Sequence, residues 1–334
     1  MNNQNASIPP GLESSIDPPS SSLATPWRVG VLGVGQSGLF YLESLSLSAD
    51  IRLVGAFDSD PQRLALATGS GCPLLSQRDS LLSPTFADVL FLVDDFSEDI
   101  AISALRGGQH LVIDRPWSVS SEALQSLGKF AVTSNRTVTI ASPGRWSANF
   151  LSAMSALQTG RLGSLHSVRQ SSCEKRVPGE TSPAGVLREF GYRWIDQLLT
   201  LVDSKPERVY AKLLSDGRPK QEHGFLAVID FTNGCTAQID IDMRSRLGFR
   251  TGWMIEGSSG SFRNDRLFTE TDDGEIVDEP LMHSNSSTDS FIGDLISTWS
   301  GSPMTLPTLA DAADVVCVIE ALERSASTGE AVRV

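Results

Sequence analysis

Histidine and cysteine are scarce, with four of each in 334 residues, and Cys72, Cys173, Cys235 and Cys317 stand far apart with no C-x-x-C pair. A zinc site or a disulfide framework is therefore not expected. The thiols read as reduced and buried, no metal ligand set is assigned, and none of the four histidines is given a catalytic role. Runs of lysine and arginine are also missing: the formal net charge is -13, which would repel a phosphate backbone and argues against nucleic acid as a partner. No stretch of 18 apolar residues occurs, so no membrane span is expected. Residues 1–25 contain neither a basic residue nor an apolar run, which excludes the pattern of a signal peptide. Their Pro, Ser, Asn and Gln content predicts a disordered leader, and a cytoplasmic location is the corresponding expectation.

From Arg28 onward, short apolar strands alternate with amphipathic helices: RVGVL, IRLVGAF, DVLFLV, HLVID and TVTIA are the strands. Uniformly apolar strands between helices predict a parallel sheet covered on both faces, the doubly wound α/β arrangement, over residues 26–143. After Gly144 the pattern changes to a helix reaching about Thr159, a turn at 160–163 and a strand near 166–171. One helix is then expected from about Pro183 to Val202. ERVYAKLL, FLAVIDF, CTAQIDIDM and RTGWMIEG follow as strands on short turns, giving an antiparallel sheet in a second α/β domain over 144–334. Two helices close the chain.

V-G-V-L-G-V-G-Q-S-G places Gly33, Gly35 and Gly38 in G-x-G-x-x-G spacing after a strand and at a helix start, with Gln36 and Ser37 inside the same turn. In that context the glycines allow a tight turn, approach of a pyrophosphate, and close helix-to-strand packing. Asp58, at the end of IRLVGAF, is placed to accept from adenosine ribose hydroxyls. A carboxylate there favours NAD over NADP, with Arg63 the nearby counter-argument. The plain alternative is a glycine turn and a capping Asp that bind nothing. The strand DVLFLV ends in V-D-D-F-S-E-D, so Asp94, Asp95, Glu98 and Asp99 lie near the expected cofactor. An inward carboxylate about 6 Å from a unit negative charge would cost on the order of 3 kcal/mol at an effective dielectric of about 20. Alternatively Asp94, Asp95 or Ser97 caps the next helix and Glu98 and Asp99 sit favourably in its first turn. Asp94 is counted with the cofactor-binding residues.

The glycine turn, D-R-P at 114–116, G-R-L-G-S-L at 160–165, E-F-G-Y-R-W-I-D at 189–196 and E-G-S-S-G-S-F at 256–262 together resemble the Gfo/Idh/MocA oxidoreductases, over essentially 27–334. The resemblance implies a Rossmann domain and a C-terminal domain with an open, mostly antiparallel sheet that often mediates oligomer contacts. It also implies NAD(P)-dependent redox chemistry on sugars, polyols or related small molecules. Three departures fall at the expected site. The family's E-K-P lysine is Arg115, which can clamp an oxygen or an anion but cannot shuttle a proton. The family's general acid/base histidine is Arg193. The family's T-P-x-x-x-H segment is the acidic run above.

Glu189, Arg193 and Asp196 are spaced i, i+4, i+7, so one helical face carrying an ion-pair ladder would explain them structurally. The catalytic candidates are Arg115, Arg193, Glu189 and Tyr192, the last two as proton donors, with a bound water as an equal option. Two arginines would suit an anionic substrate. Trp117 and Trp146 are expected to line the cleft between the domains. The competing function is a non-catalytic family member that senses a ligand or binds a partner. A homo-oligomer through the C-terminal sheet is expected in either case. A lyase or hydrolase using NAD transiently is a third reading that no residue selects.

Overall fold

A computed structural model describes residues 25–93, 96–116, 118–173, 185–215, 222–246, 250–281 and 288–334. The first domain alternates strands and helices in the expected order. Its elements are β1 (Trp27–Leu32), α1 (Gln36–Ser46), β2 (Ile51–Phe57), α2 (Pro61–Leu66), β3 (Val89–Leu92), α3 (Glu98–Arg106), β4 (His110–Asp114), α4 (Ser121–Ser134) and β5 (Val138–Ala141). The strands form one parallel sheet in the order β2-β1-β3-β4-β5. β3, β4 and β5 are almost wholly buried, as strands covered on both faces must be. This order puts the carboxyl ends of β1, β3 and β4 side by side, where the glycine turn and Arg115 emerge.

The second domain contains α5 (Ala148–Gln158), β6 (Leu165–Cys173), α6 (Gly185–Glu189), α7 (Gly191–Val202), β7 (Pro206–Ser215), β8 (Glu222–Phe231), β9 (Thr236–Asp242) and β10 (Arg250–Gly257). It continues with β11 (Gly260–Arg263), β12 (Arg266–Glu270), β13 (Ile276–Pro280), α8 (Thr288–Trp299), α9 (Leu309–Thr328) and β14 (Val332–Arg333). Among the described residues nine strands run in the order β13-β12-β11-β10-β6-β9-β8-β7-β14. Every pairing is antiparallel except β6 with β9, so the sheet is mostly rather than wholly antiparallel. The β11–β13 meander went unanticipated. Its strands are short and rich in charge, and Ile276 and Val277 point to solvent instead of marking a buried face.

Two boundaries differ from expectation. The predicted helix over 183–202 is broken: α6 ends at Glu189, and α7 starts at Gly191, whose absent Cβ would lie 3.2 Å from the Phe225 ring. The close packing of the α6–α7 corner on β8 therefore favours glycine there. The chain past residue 144 also does not stay in its own domain. α8 returns to the Rossmann sheet, where Phe291, Leu295 and Trp299 join a core with Val31, Tyr41 and Phe91. Trp299 meets Trp27 and Phe91 edge-on, at ring separations of 5.9 and 6.3 Å. The leader lies outside the described residues, and no helix among the described residues is long and apolar enough to cross a membrane.

Candidate cofactor and active site

Gly33 takes the left-handed backbone that glycine tolerates, with φ 93°, and its amide donates to the Phe57 carbonyl at 2.9 Å. A Cβ on Gly38 would lie 2.2 Å from the Gly33 carbonyl oxygen, so the helix can close on the turn only because no side chain intervenes. Helix α1 starts at Gln36 with Gly35 as its N-cap. Among the described residues no side chain caps it, and its first turn holds no acid. A helix start carries partial positive charge, as an anion requires. The residues present therefore fit a dinucleotide.

Asp58 is buried, and both carboxylate oxygens hold backbone: Oδ2 accepts from the Val34 amide at 2.7 Å and Oδ1 from the Asp60 amide at 2.8 Å. The residue thus clasps the glycine turn to the end of β2, while each oxygen keeps lone-pair capacity for a ribose hydroxyl. Arg63 is exposed and lies 3.8 Å from Asp60, its ion-pair partner on the same helix.

Arg115 follows β4 with φ 37°, an uncommon conformation for a residue with a Cβ. Its Nη2 donates to Ser37 Oγ at 2.7 Å, and Nε and Nη2 donate to the Asp114 carboxylate at 3.2 and 3.1 Å. Asp114 in turn accepts from the Tyr41 hydroxyl at 2.8 Å. The Asp114 charge holds the guanidinium pKa above its ordinary value, with lesser contributions from Tyr41 and Glu189. Arg115 is thus a fixed cation beside the start of α1, with Glu189 within electrostatic reach.

Among the described residues the expected ladder on α7 is not seen. Asp196 is taken by Arg145, which donates from Nη2 at 2.6 Å and Nε at 3.0 Å, and by the Ser142 hydroxyl at 2.6 Å. The break before Gly191 moreover puts Glu189 on a different helix from Arg193. Arg193 is exposed and lies over the Trp194 ring at 4.7 Å. Its Nε approaches Gly144 so closely that a Cβ there would lie 2.8 Å away. Tyr192 is completely buried, and its hydroxyl has no hydrogen-bond partner among the described residues. Burial raises its pKa well above the ordinary phenol value, with the Asp196 charge adding to the effect. Both features disfavour Tyr192 as a proton donor.

Of the acidic run, Ser97 caps α3 by accepting from the Ile100 amide at 3.3 Å, and Glu98 and Asp99 occupy that helix's first turn. Asp94, Asp95 and Trp117 lie outside the described residues. Trp146 packs on α8, its ring 5.1 Å from Phe291 and its indole N–H on Asp294 at 3.1 Å. The four cysteines are unpaired. Cys72 and Cys235 are buried, whereas Cys173 and Cys317 are only partly so.

Tyr41 and Arg145 were not among the residues singled out, and Asp114 and Asp196 were noted without these partners. The one available signal was the i, i+4 spacing of Ser37 and Tyr41, which aligns them on one face of α1.

Residues 27–142 match the family described as "Oxidoreductase family, NAD-binding Rossmann fold", and residues 150–263 match the "GFO/IDH/MocA C-terminal domain". The chain belongs to the Gfo/Idh/MocA oxidoreductase family. Its N-terminal domain is that family's NAD-binding Rossmann domain. An inositol 2-dehydrogenase of Rhizobium meliloti is 23% identical over 270 residues, which cover 77% of this chain and 82% of the relative. An NAD-binding protein from Listeria innocua shares the fold with a TM-score of 0.79 at 20% identity, over 93% of this chain and 100% of that one. An Agrobacterium radiobacter oxidoreductase in complex with NAD+, L-tartaric acid and magnesium does so with a TM-score of 0.79 at 17% identity, over 92% and 98%.

Proposed function

We propose that this protein transfers a hydride between NAD and a carbon of a polyol, sugar or related small molecule, at the carboxyl edge of the Rossmann sheet. The observation that carries the reading is the permanently charged Arg115 guanidinium, fixed between Asp114 and Ser37 beside the start of α1. NAD, when bound, supplies the hydride acceptor or donor. The chain's own residues supply binding and proton handling. Asp58 accepts from the ribose and disfavours a 2'-phosphate, and the engagement of Arg63 with Asp60 supports the same preference. Gly33, Gly35, Gln36, Ser37 and Gly38 form the turn that meets the diphosphate. Glu189, partly exposed on the short helix before α7, is the better placed proton acceptor, because the Tyr192 hydroxyl is sealed in the core. Arg193, exposed beside Gly144, offers a second cation to a substrate that bears a carboxylate or phosphate. The R. meliloti relative's name makes cyclic polyols the first substrates to test.

The experiment is NADH titration by tryptophan fluorescence, followed by nicotinamide reduction assays with inositols, sugar acids and sugar phosphates. Saturable quenching and turnover with at least one of these support the reading. No NADH response up to millimolar concentration overturns it. A second reading, a ligand-sensing member without turnover, draws on arginine at both catalytic positions together with the buried Tyr192 hydroxyl; tight NADH binding with Glu189→Gln indistinguishable from wild type in every assay would favour it. Exposed Tyr210 and Leu226 on the open face of the second sheet support a homo-oligomer through that face, which light scattering of the full chain checks.

A further inference from the structure

We propose that Arg115 is a ligand of the dinucleotide's diphosphate, and that Tyr41 and Asp114 are buried residues that position it. The proposal rests on the reading that the glycine turn binds NAD and assigns a task within that site.

Ser37 and Tyr41 are four residues apart and face the same way on α1. Arg115 and Asp114 run along that face. The Arg115 Nη2 meets Ser37 Oγ in the helix's first turn at 2.7 Å, and one turn below, the Tyr41 hydroxyl donates to Asp114 at 2.8 Å. Tyr41 and Asp114 are almost fully buried, at 1% and 7% exposure, so the anchor is rigid where the guanidinium is still part-exposed. The left-handed backbone at Arg115 belongs to the same device, since it sits at the junction where β4 ends and the side chain reaches over α1.

Charge then decides what the device is for. A helix start with no acid in its first turn already carries partial positive charge, and a guanidinium beside it adds to the repulsion unless an anion joins them. Asp114 neutralises the guanidinium from one side, through Nε and Nη2. Among the described residues Nη1 makes no hydrogen bond, so part of the planar fork is left to bind a phosphate oxygen. A lysine carries its donors on one compact ammonium, whereas the planar guanidinium spreads them over separate nitrogens, so Nε and Nη2 engage Asp114 and Ser37 while Nη1 points elsewhere. The arginine that replaces the family's lysine is therefore suited to grip the cofactor's diphosphate in addition to any substrate contact.

The test compares NADH, ADP-ribose and adenosine by calorimetry on the full chain. Arg115→Ala is expected to weaken NADH and ADP-ribose on the order of tenfold to a hundredfold and to leave adenosine unchanged, because only the first two carry the diphosphate. Arg115→Gln provides the same comparison if the alanine variant does not fold. Tyr41→Phe is expected to weaken the same two ligands several-fold, with no further loss in the Arg115→Ala background; a merely structural tyrosine would give additive losses. Unchanged NADH affinity in Arg115→Ala with only the substrate KM raised overturns the assignment in favour of a substrate residue. Tighter NADH binding in that variant overturns it too, by showing that the guanidinium occupies the phosphate's place. Wild-type protein that binds neither NADH nor ADP-ribose defeats the functional reading itself, an outcome distinct from the other two.

Discussion

Single residues here do structural and chemical duty at once, and His110 makes the point measurable. Its ring packs edge-on against Trp27 at 5.8 Å, and its Nδ1 accepts from the Thr137 amide at 3.2 Å, which requires an unprotonated nitrogen. Burial foremost, then the Arg136 charge, lower its pKa to about 4 against the raising effect of Asp88. The folded chain therefore refuses a proton that the unfolded chain takes up near pH 6.5, so stability is fully present above that value and is lost as pH falls toward about 4. Asp88, held low by Arg28, adds a second loss in the same direction at still lower pH. Denaturant unfolding measured between pH 7 and 4 should show a decline on the order of 1–2 kcal/mol after allowance for solvent screening, with His110→Phe flattening it. An unchanged slope in that variant would rule the histidine out as the cause. Asp196 teaches a different lesson. Its spacing from Arg193 suggested a partner on the same helix, but the partner is Arg145, 51 residues away in sequence. For a fully buried carboxylate, bidentate geometry and a hydroxyl from Ser142 outweigh what a neighbour on an exposed helical face can offer.

Among the elements, two of the motifs that carried the family resemblance prove to be each other's partners. G-R-L-G-S-L and E-G-S-S-G-S-F clasp through the Ser258 amide on the Ser164 carbonyl at 2.9 Å, the Ser259 amide on the Leu162 carbonyl at 3.1 Å, and the Ser164 amide on Ser258 Oγ at 3.0 Å. A Cβ on Gly257 would lie 2.0 Å from the Leu162 carbonyl oxygen, an approach that backbone cannot relieve without moving β10 off the turn. Gly257→Ala is accordingly expected to cost roughly 2 kcal/mol or more and to lower Tm by several degrees, while NADH affinity holds. A melting curve unchanged from wild type would contradict the clasp. The break between α6 and α7 belongs at this scale too: the periodicity from about 183 to 202 reads as one helix, and only the packing of Leu187 and the Phe225 ring against Gly191 shows why the corner holds a glycine.

At the scale of the molecule, the two domains are laced together rather than strung in series. α8 leaves the second sheet to complete the Rossmann core, and α9 packs on α4. Across the same junction the Ser121 hydroxyl donates to Glu320 at 2.9 Å, and the Ile140 amide donates to the Pro307 carbonyl at 2.9 Å. Thermal unfolding should therefore be a single cooperative transition in calorimetry, shifted upward as a whole by NADH. Two resolved transitions, or a fragment 26–143 that folds alone with native stability, would show the lacing to be energetically idle. That fragment exposes Trp27, Tyr41 and Phe91 where Phe291 and Trp299 cover them in the full chain.

Local pattern was enough for the Rossmann half, because its strands are buried on both faces and its glycines answer to backbone geometry within a few residues. Apolar runs, the G-x-G-x-x-G turn and a cap among Asp94, Asp95 and Ser97 are written in consecutive letters. The same letters held the family, through motifs in a fixed order. Pairings between distant segments were another matter: Arg145 with Asp196, Tyr41 with Asp114, α8 with β1, and one glycine motif with another. Each depends on which surfaces meet after the chain has folded back. A charge or an aromatic ring selects its partner by distance in space, and spacing along the chain carries no information about that.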